Sequence, residues 1–148
     1  MSSRSSSLRL RPAAASDREF LWRLHRATMR SYVDATWGWD DGDQRQRFDD
    51  TFDPARLAVV MVGDERVGML RTERRPDEVF LAAVEAAPAW QGRGIGTRLV
   101  SGVVEGAEGR PVALWVLKAN PARSLYERLG FGVDGETATH YTMRRPAR

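Results

Sequence analysis

Two apolar segments, Val79 to Ala87 and Pro111 to Leu117, flank the run Gln91-Gly92-Arg93-Gly94-Ile95-Gly96-Thr97. After the glycines, Ile95, Leu99, Val100, Val103 and Val104 recur at helical spacing. The pattern predicts strand, glycine turn, amphipathic helix, strand. Strands joined by a helical crossover must run parallel, because a tight turn can only join antiparallel neighbours. Both apolar segments lack clean alternation, as expected of strands covered on two faces. This unit excludes an all-helical chain and a purely antiparallel sheet.

The flanking sequence adds elements on either side. Leu8 to Arg11 alternates like a strand. Ser16-Asp17-Arg18-Glu19 has capping-box spacing, and Phe20, Leu21, Leu24 and Ala27 follow on one helical face to about Arg30. Tyr32 to Asp43 reads as an irregular, acidic and aromatic connection, followed by a helix over Gln44 to Phe52. Leu57 to Val62 and Val67 to Thr72 form a hairpin about Gly63-Asp64. Asn120-Pro121 opens a last helix that Gly130 ends, and strands at Phe131 to Val133 and Thr139 to Met143 close the chain. The order is β-α-α-β-β-β-α-β-α-β-β: one mixed-sheet α/β domain over residues 8–148, behind a short disordered leader over 1–7.

A glycine turn that opens a helix is suited to an anion. Glycine lets the backbone approach a ligand closely, and the first helical amides have no internal partners. Arg93 and Arg98 are placed to add charge. A nucleotide-triphosphate loop needs Gly-Lys, and the only lysine of the chain is Lys118. A dinucleotide turn needs a third glycine where Thr97 stands. Coenzyme A pyrophosphate and a connection that holds no ligand remain open on these residues alone.

The Gln-x-x-Gly-x-Gly run resembles the acetyl-CoA motif of the GNAT superfamily of N-acetyltransferases. Asn120-Pro121-Ala122-Arg123-Ser124-Leu125-Tyr126, with the Gly130-Phe131 exit, is similar to that superfamily's second signature. Asn120 and Tyr126 stand six apart, where many members have seven. The element order agrees over residues 8 to 145. The resemblance implies a fold whose two central parallel strands splay to admit the pantetheine arm of acetyl-CoA. Backbone groups of Ala86 and Ala87 would pair with that arm. Gln91, Gly92, Arg93, Gly94, Ile95, Gly96 and Thr97 would hold the pyrophosphate. Asn120 and Ser124 would line the other side, and Tyr126 would sit by the sulfur.

Acetyl transfer needs a base for the amine, a donor for the oxyanion and a proton for the thiolate. Tyr126 is the candidate acid. Glu85 is the candidate base, a carboxylate in an otherwise apolar strand, where a charge is costly unless it serves a cleft. An amide of Ala86 or Ala87 is the expected oxyanion donor. Trp37, Trp39 and Asp40 suit a cationic acceptor through cation–π and charge contacts, with His140 and its neighbours Glu136 and Tyr141 facing the same pocket. His25 reads as a packed or surface histidine.

The formal charge is +3, from 23 basic and 20 acidic residues spread through the chain, which does not make a nucleic-acid surface. Absence of cysteine removes disulfides, thiolate metal sites and an acetyl-cysteine step. No His, Asp and Glu cluster has metal-ligand spacing, so no metal is expected. No apolar run approaches the ~18–20 residues of a membrane span, and Met1 to Ser7 lacks a signal-peptide core. A cytoplasmic N-acetyltransferase acting on a small primary amine is the expectation, with a homodimer as one assembly. The alternatives are a non-catalytic acyl-CoA-binding regulatory domain, or acetylation of a protein N-terminus or lysine.

Overall fold

The computed structural model describes residues 7–147. The expected leader, 1–7, lies outside them apart from Ser7. The elements are β1 (Leu8–Pro12), α1 (Arg18–Trp37), α2 (Asp41–Thr51), β2 (Ala58–Val62), β3 (Glu65–Arg74), β4 (Val79–Ala86), α3 (Ile95–Gly106), β5 (Val112–Leu117), α4 (Arg123–Arg128), β6 (Gly132–Glu136) and β7 (His140–Arg145). Their order is the one the sequence predicts. The strands form one mixed sheet in the order β1-β2-β3-β4-β5-β7-β6, in which only β4 and β5 pair in parallel. No helix of the described residues is long and apolar enough to cross a membrane.

Some boundaries differ from expectation. Helix α1 continues to Trp37 rather than ending near Arg30. No glycine or proline interrupts Ser31 to Trp37, and the extension buries Val33. Gly38 then stops the helix at φ 85°, its amide donating to the Asp34 carbonyl at 3.0 Å. Helix α2 starts early because the Asp40 carboxylate caps it, accepting from the Asp43 amide at 2.9 Å. The capping box expected at Ser16 is replaced by a single turn, Ala15–Asp17. There the Asp17 carboxylate turns back to accept from the Ala14 amide at 2.8 Å.

Alternation along β2 sorts the layers. Val60 and Val62 join Ile95 and Leu99 of α3, whereas Val59 and Met61 join Leu21 and Leu24 of α1. Helices α3 and α4 therefore cover one face, and α1 and α2 the other. Strand β4 breaks its own alternation. Arg71 pairs with Ala83 and Thr72 with Leu81, so Ala82 is an extra residue in the ladder. Val79 and Leu81 pack with Val100 and Val103 of α3. Beyond the bulge, Val84 and Ala86 take that face. Glu85 is thereby turned toward α1.

The parallel pairing is short. Val79, Phe80 and Leu81 match Val112, Ala113 and Leu114, and the two strands then separate. The resulting gap is the splay the resemblance implies. Each strand keeps its outer neighbour: β4 pairs with β3 up to Ala86, and β5 pairs with β7 up to Leu117. The sheet stays in one piece while its middle opens.

Asp17 ties the first strand, the first helix and the third strand together. Its carboxylate, 2% exposed, accepts two bonds from Arg11 at 2.9 Å and one from Arg66 at 3.2 Å. Arg11 foremost, then the Ala14 amide and Arg66, holds the Asp17 carboxyl far below the usual carboxylate range against the opposing effect of burial. A group with a depressed folded pKa contributes stability above its unfolded pKa, near 3.9, and loses it as pH falls through the folded value. Asp17→Asn is therefore expected to cost about 2 kcal/mol at pH 7 by urea denaturation, with the cost shrinking below about pH 4. A pH-independent difference would contradict the charge-pair origin.

Candidate active site

The gap between β4 and β5 opens into a cavity of about 560 Å³. Its walls bring together Glu85, Ala86, Gln91, Gly92, Gly94, Ile95, Gly96, Thr97, Asn120 and Tyr126, all expected from sequence. The structure adds Thr28, Met29 and Tyr32 from α1, and Trp90, Leu125 and Arg128. The α1 residues carry no motif, and only the packing of that helix over the sheet brings them here.

At the mouth, Gly92 and Gly94 adopt left-handed conformations, φ 76° and 79°, and Gly94 caps α3. A Cβ at either position would meet nothing within 4 Å, so glycine is needed for the turn rather than for space. The amide of Arg98 is the first of α3 to find a carbonyl, that of Gly94 at 3.0 Å. The Ile95, Gly96 and Thr97 amides are left for a ligand, at the positive end of the helix. Gln91 does not point outward: its Nε2 donates to the Ala86 carbonyl at 3.0 Å and pins the loop to the end of β4.

Four residues expected at the cofactor do not line this cavity. Ala87 spends its amide on the Val67 carbonyl and its carbonyl on the Trp90 amide, each at 2.8 Å. The Arg93 guanidinium stacks on Trp90, 4.7 Å from the ring centre. Arg98 faces a different hollow, between α3 and the β1–β3 side of the sheet. Ser124 turns its hydroxyl to the Pro121 carbonyl at 3.1 Å. The Ala87–Val67 bond also settles which amide is free. In an antiparallel ladder bonded and unbonded pairs alternate, so Gly68–Ala86 is an unbonded pair. The Ala86 amide thus points away from β3, into the gap.

Tyr126 reaches the gap from α4. It packs edge-on to Phe131, is 7% exposed, and its hydroxyl makes no hydrogen bond among the described residues. Burial pushes its pKa up to about 12, so it stays a proton donor throughout the neutral range. Asn120 accepts from the Ala122 amide at 2.9 Å, which shapes the turn into α4.

Glu85 stands at a junction. It lines the cofactor-sized cavity and also a second hollow of about 440 Å³ under α1 and α2. It is 8% exposed, its Oε2 lies 3.1 Å from Nδ1 of His25, and its Oε1 is buried without a partner. His25, read from sequence as a packed or surface residue, is thus the neighbour of the strand carboxylate. No local pattern reveals this, because the pair is sixty residues apart.

Of the residues expected at the acceptor, Trp37, Trp39 and Asp40 line another hollow, of about 390 Å³, together with Gln44 and Arg47, whereas His140, Glu136 and Tyr141 do not line it. Gln44 and Arg47 also line the second hollow. Asp40 is committed to capping α2. Trp39 stacks on Trp22 at 6.2 Å and donates its indole N–H to Asp41. Trp37, 61% exposed, sits 5.9 Å from His140, which in turn lies 5.9 Å from the exposed Trp115.

Both the sequence and the fold have known counterparts. A family model described as the acetyltransferase (GNAT) family matches residues 19–131. No protein of curated function matches the sequence. Among solved structures, PaiA N-acetyltransferase from Thermoplasma acidophilum, in complex with coenzyme A, is 14% identical, covering 95% of this chain and 99% of that one, with a TM-score of 0.71. An acetyltransferase from Thermus thermophilus is 20% identical, covering 95% and 97%, with a TM-score of 0.75. The ribosomal-protein-S18-alanine N-acetyltransferase from Escherichia coli is 17% identical, covering 95% and 94%, with a TM-score of 0.69.

The buried phenol is directly measurable. In a difference titration of wild type against Tyr126→Phe, the phenolate of Tyr126 is expected to be absent at pH 10 and to ionise near pH 12. Ionisation near 10, the ordinary tyrosine value, would contradict the burial.

Proposed function

The chain belongs to the GNAT acetyltransferase family, and on that premise we propose that it transfers the acetyl group of acetyl-CoA directly to the primary amine of a small molecule. The observation that carries the reading is the splay. After three parallel pairs, β4 and β5 part to leave a cavity with the α3 amides at one end and Glu85 and Tyr126 deeper in. The Ile95, Gly96 and Thr97 amides suit the pyrophosphate of the cofactor. The polar backbone of β4 that faces the gap suits the pantetheine amides, as an absent strand would. Its thioester then lies beside Tyr126.

The chemistry divides among three groups. Glu85 accepts a proton from the amine, whose lone pair attacks the thioester carbon. The Ala86 amide, turned into the gap, donates to the oxyanion that forms. The C–N bond is then complete, the C–S bond breaks, and the sulfur takes the proton of the Tyr126 hydroxyl. A free thiol has a pKa near 8.5, so full transfer from a phenol at about 12 would be uphill in water. The same dry wall raises the proton affinity of the sulfur, because burial penalises the thiolate as it does the phenolate. Once the products leave, the proton held by Glu85 returns to the Tyr126 phenolate through water.

A regulatory acyl-CoA-binding domain has no use for Glu85 and Tyr126 on one cavity. Their joint presence favours catalysis over binding alone. Choice of a small molecule over a protein amine rests on the hollow beyond Glu85, whose volume of about 440 Å³ is that of a small-molecule site.

Steady-state assays of thiol release over an amine panel test the assignment. Tyr126→Phe and Glu85→Gln are each expected to lower kcat about 100-fold with little change in the KM for acetyl-CoA. Wild-type turnover in either variant removes that residue from the chemistry. Binding of acetyl-CoA with no thiol released to any amine would favour the regulatory reading.

A further inference from the structure

Two buried side-chain polar atoms lack a hydrogen-bond partner among the described residues: Oε1 of Glu85 and Nε of Arg71. Both residues line the same 440 Å³ hollow, on the α1 and α2 face of the sheet. Orphaned buried polar groups are costly, and both belong to side chains that line one hollow. One is an acceptor and the other a donor. Met69 pairs with Glu85 and Arg71 with Ala83, so the two side chains are diagonal neighbours on adjacent strands. The nearest carboxylate to the Arg71 guanidinium is that of Glu73, 3.7 Å from Nη2, too far for a hydrogen bond. This long ion pair leaves the guanidinium donors of Arg71 without a carboxylate in hydrogen-bond reach.

The rest of the wall is mixed, with His25, Gln44, Arg47, Asp50 and Thr51 on it as well as a set of apolar side chains. Leu21, Phe48, Phe52, Leu57 and Met69 surround the two polar groups. The volume is that of a small-molecule site.

We propose that the acceptor is a free α-amino acid with an aromatic or branched apolar side chain, its nitrogen held at Glu85 and its carboxylate at Arg71. This rests on the acetyltransferase reading and names the substrate class of that site. An α-amino acid carries a nitrogen and an oxyanion a few bonds apart, the separation two diagonal strand neighbours can bridge. Its carboxylate is a charge-assisted acceptor for the guanidinium. The side chain fills the space under Phe48 and Phe52. The neutral amino nitrogen, its ammonium proton lost to solvent, forms the new C–N bond as the C–S bond breaks, one of its protons passes to Glu85, the sulfur takes the Tyr126 proton, and the products are an N-acetyl amino acid and the coenzyme A thiol. Arg71 touches the acceptor without taking part in the bond changes, so it acts on affinity and specificity.

The test compares L-phenylalanine and L-leucine with 2-phenylethylamine and 3-methylbutylamine, which lack the carboxylate, and with the dipeptide Phe-Gly. Thiol release is measured at saturating acetyl-CoA. Each amino acid is expected to exceed its decarboxylated counterpart at least about tenfold in kcat/KM, since losing a hydrogen bond to a charged group costs about 1.5–3 kcal/mol. Arg71→Gln should raise KM for the amino acid about tenfold with kcat nearly held, and bring the two kcat/KM values within about twofold. Calorimetric binding of L-phenylalanine to the coenzyme A-loaded protein should weaken about tenfold in the same variant. Arg71→Lys, which keeps the charge, should recover part of the discrimination and serves if the glutamine variant does not fold. Equal or better use of the decarboxylated amines, preference for Phe-Gly, or discrimination that survives both Arg71 variants overturns the proposal. If the simple amines are acetylated and amino acids are not, the amino-acid assignment fails while the acetyltransferase reading stands. If no amine releases thiol, both fail.

Discussion

Three parallel residue pairs between β4 and β5 hold the two halves of the sheet together, and everything functional follows from their ending after Leu81 and Leu114. A parallel pair that continued would satisfy the backbone of both strands and leave no room between them. Its early end leaves gap-facing groups of β4, the Ala86 amide among them, without a strand partner, while β3 still fixes the strand through Ala86. Unpaired backbone in an interior is expensive unless something takes the place of the missing strand. A pantetheine arm, with its own amides, is chemically suited to that place. The cost is carried by the outer ladders, since β5 pairs with β7 along its whole length.

The bulge at Ala82 is the second decision, and it depends on the first. Just above the last parallel pair, one extra residue reverses which side chains face which layer. Without it, Glu85 would share the α3 face with Val79 and Leu81, buried among aliphatic side chains. With it, the carboxylate meets His25 of α1 and touches both the cofactor-sized cavity and the hollow beyond. A one-residue slip in a ladder moves a charge from one side of the sheet to the other. That places a strand residue between two hollows.

Polar groups on this face are treated in two ways. Asp17 is surrounded by Arg11, Arg66 and a backbone amide, so its buried charge is fully answered and joins three elements. Oε1 of Glu85 and Nε of Arg71 are buried and unanswered. Complete satisfaction is the usual state of a buried polar group, and an unsatisfied one calls for a specific explanation. The contrast separates two carboxylates that look alike in composition.

Element types and their order were legible in the sequence because periodicity and turn chemistry are local. Gly92, Gly94, Asn120, Tyr126 and the apolar strands could be assigned from spacing and from family resemblance, and they meet on one cavity. Helix ends were less legible, since α1 runs past Arg30 for the sake of burying Val33, a long-range effect. Ala87, Arg93, Arg98 and Ser124 were placed by motif, yet Ala87, Arg93 and Ser124 have partners in their own surroundings and Arg98 lines a different hollow. The pairing of His25 with Glu85, the freedom of the Ala86 amide and the orphaned Arg71 have no local signal. They arise from a bulge, from the alternation of a ladder and from the way helices lie across a sheet. Local pattern was enough for a βαβ core, a glycine turn opening a helix and a tyrosine on the last helix. Which face the strand carboxylate serves was left to the packed chain, because register and packing are relations between segments distant in sequence.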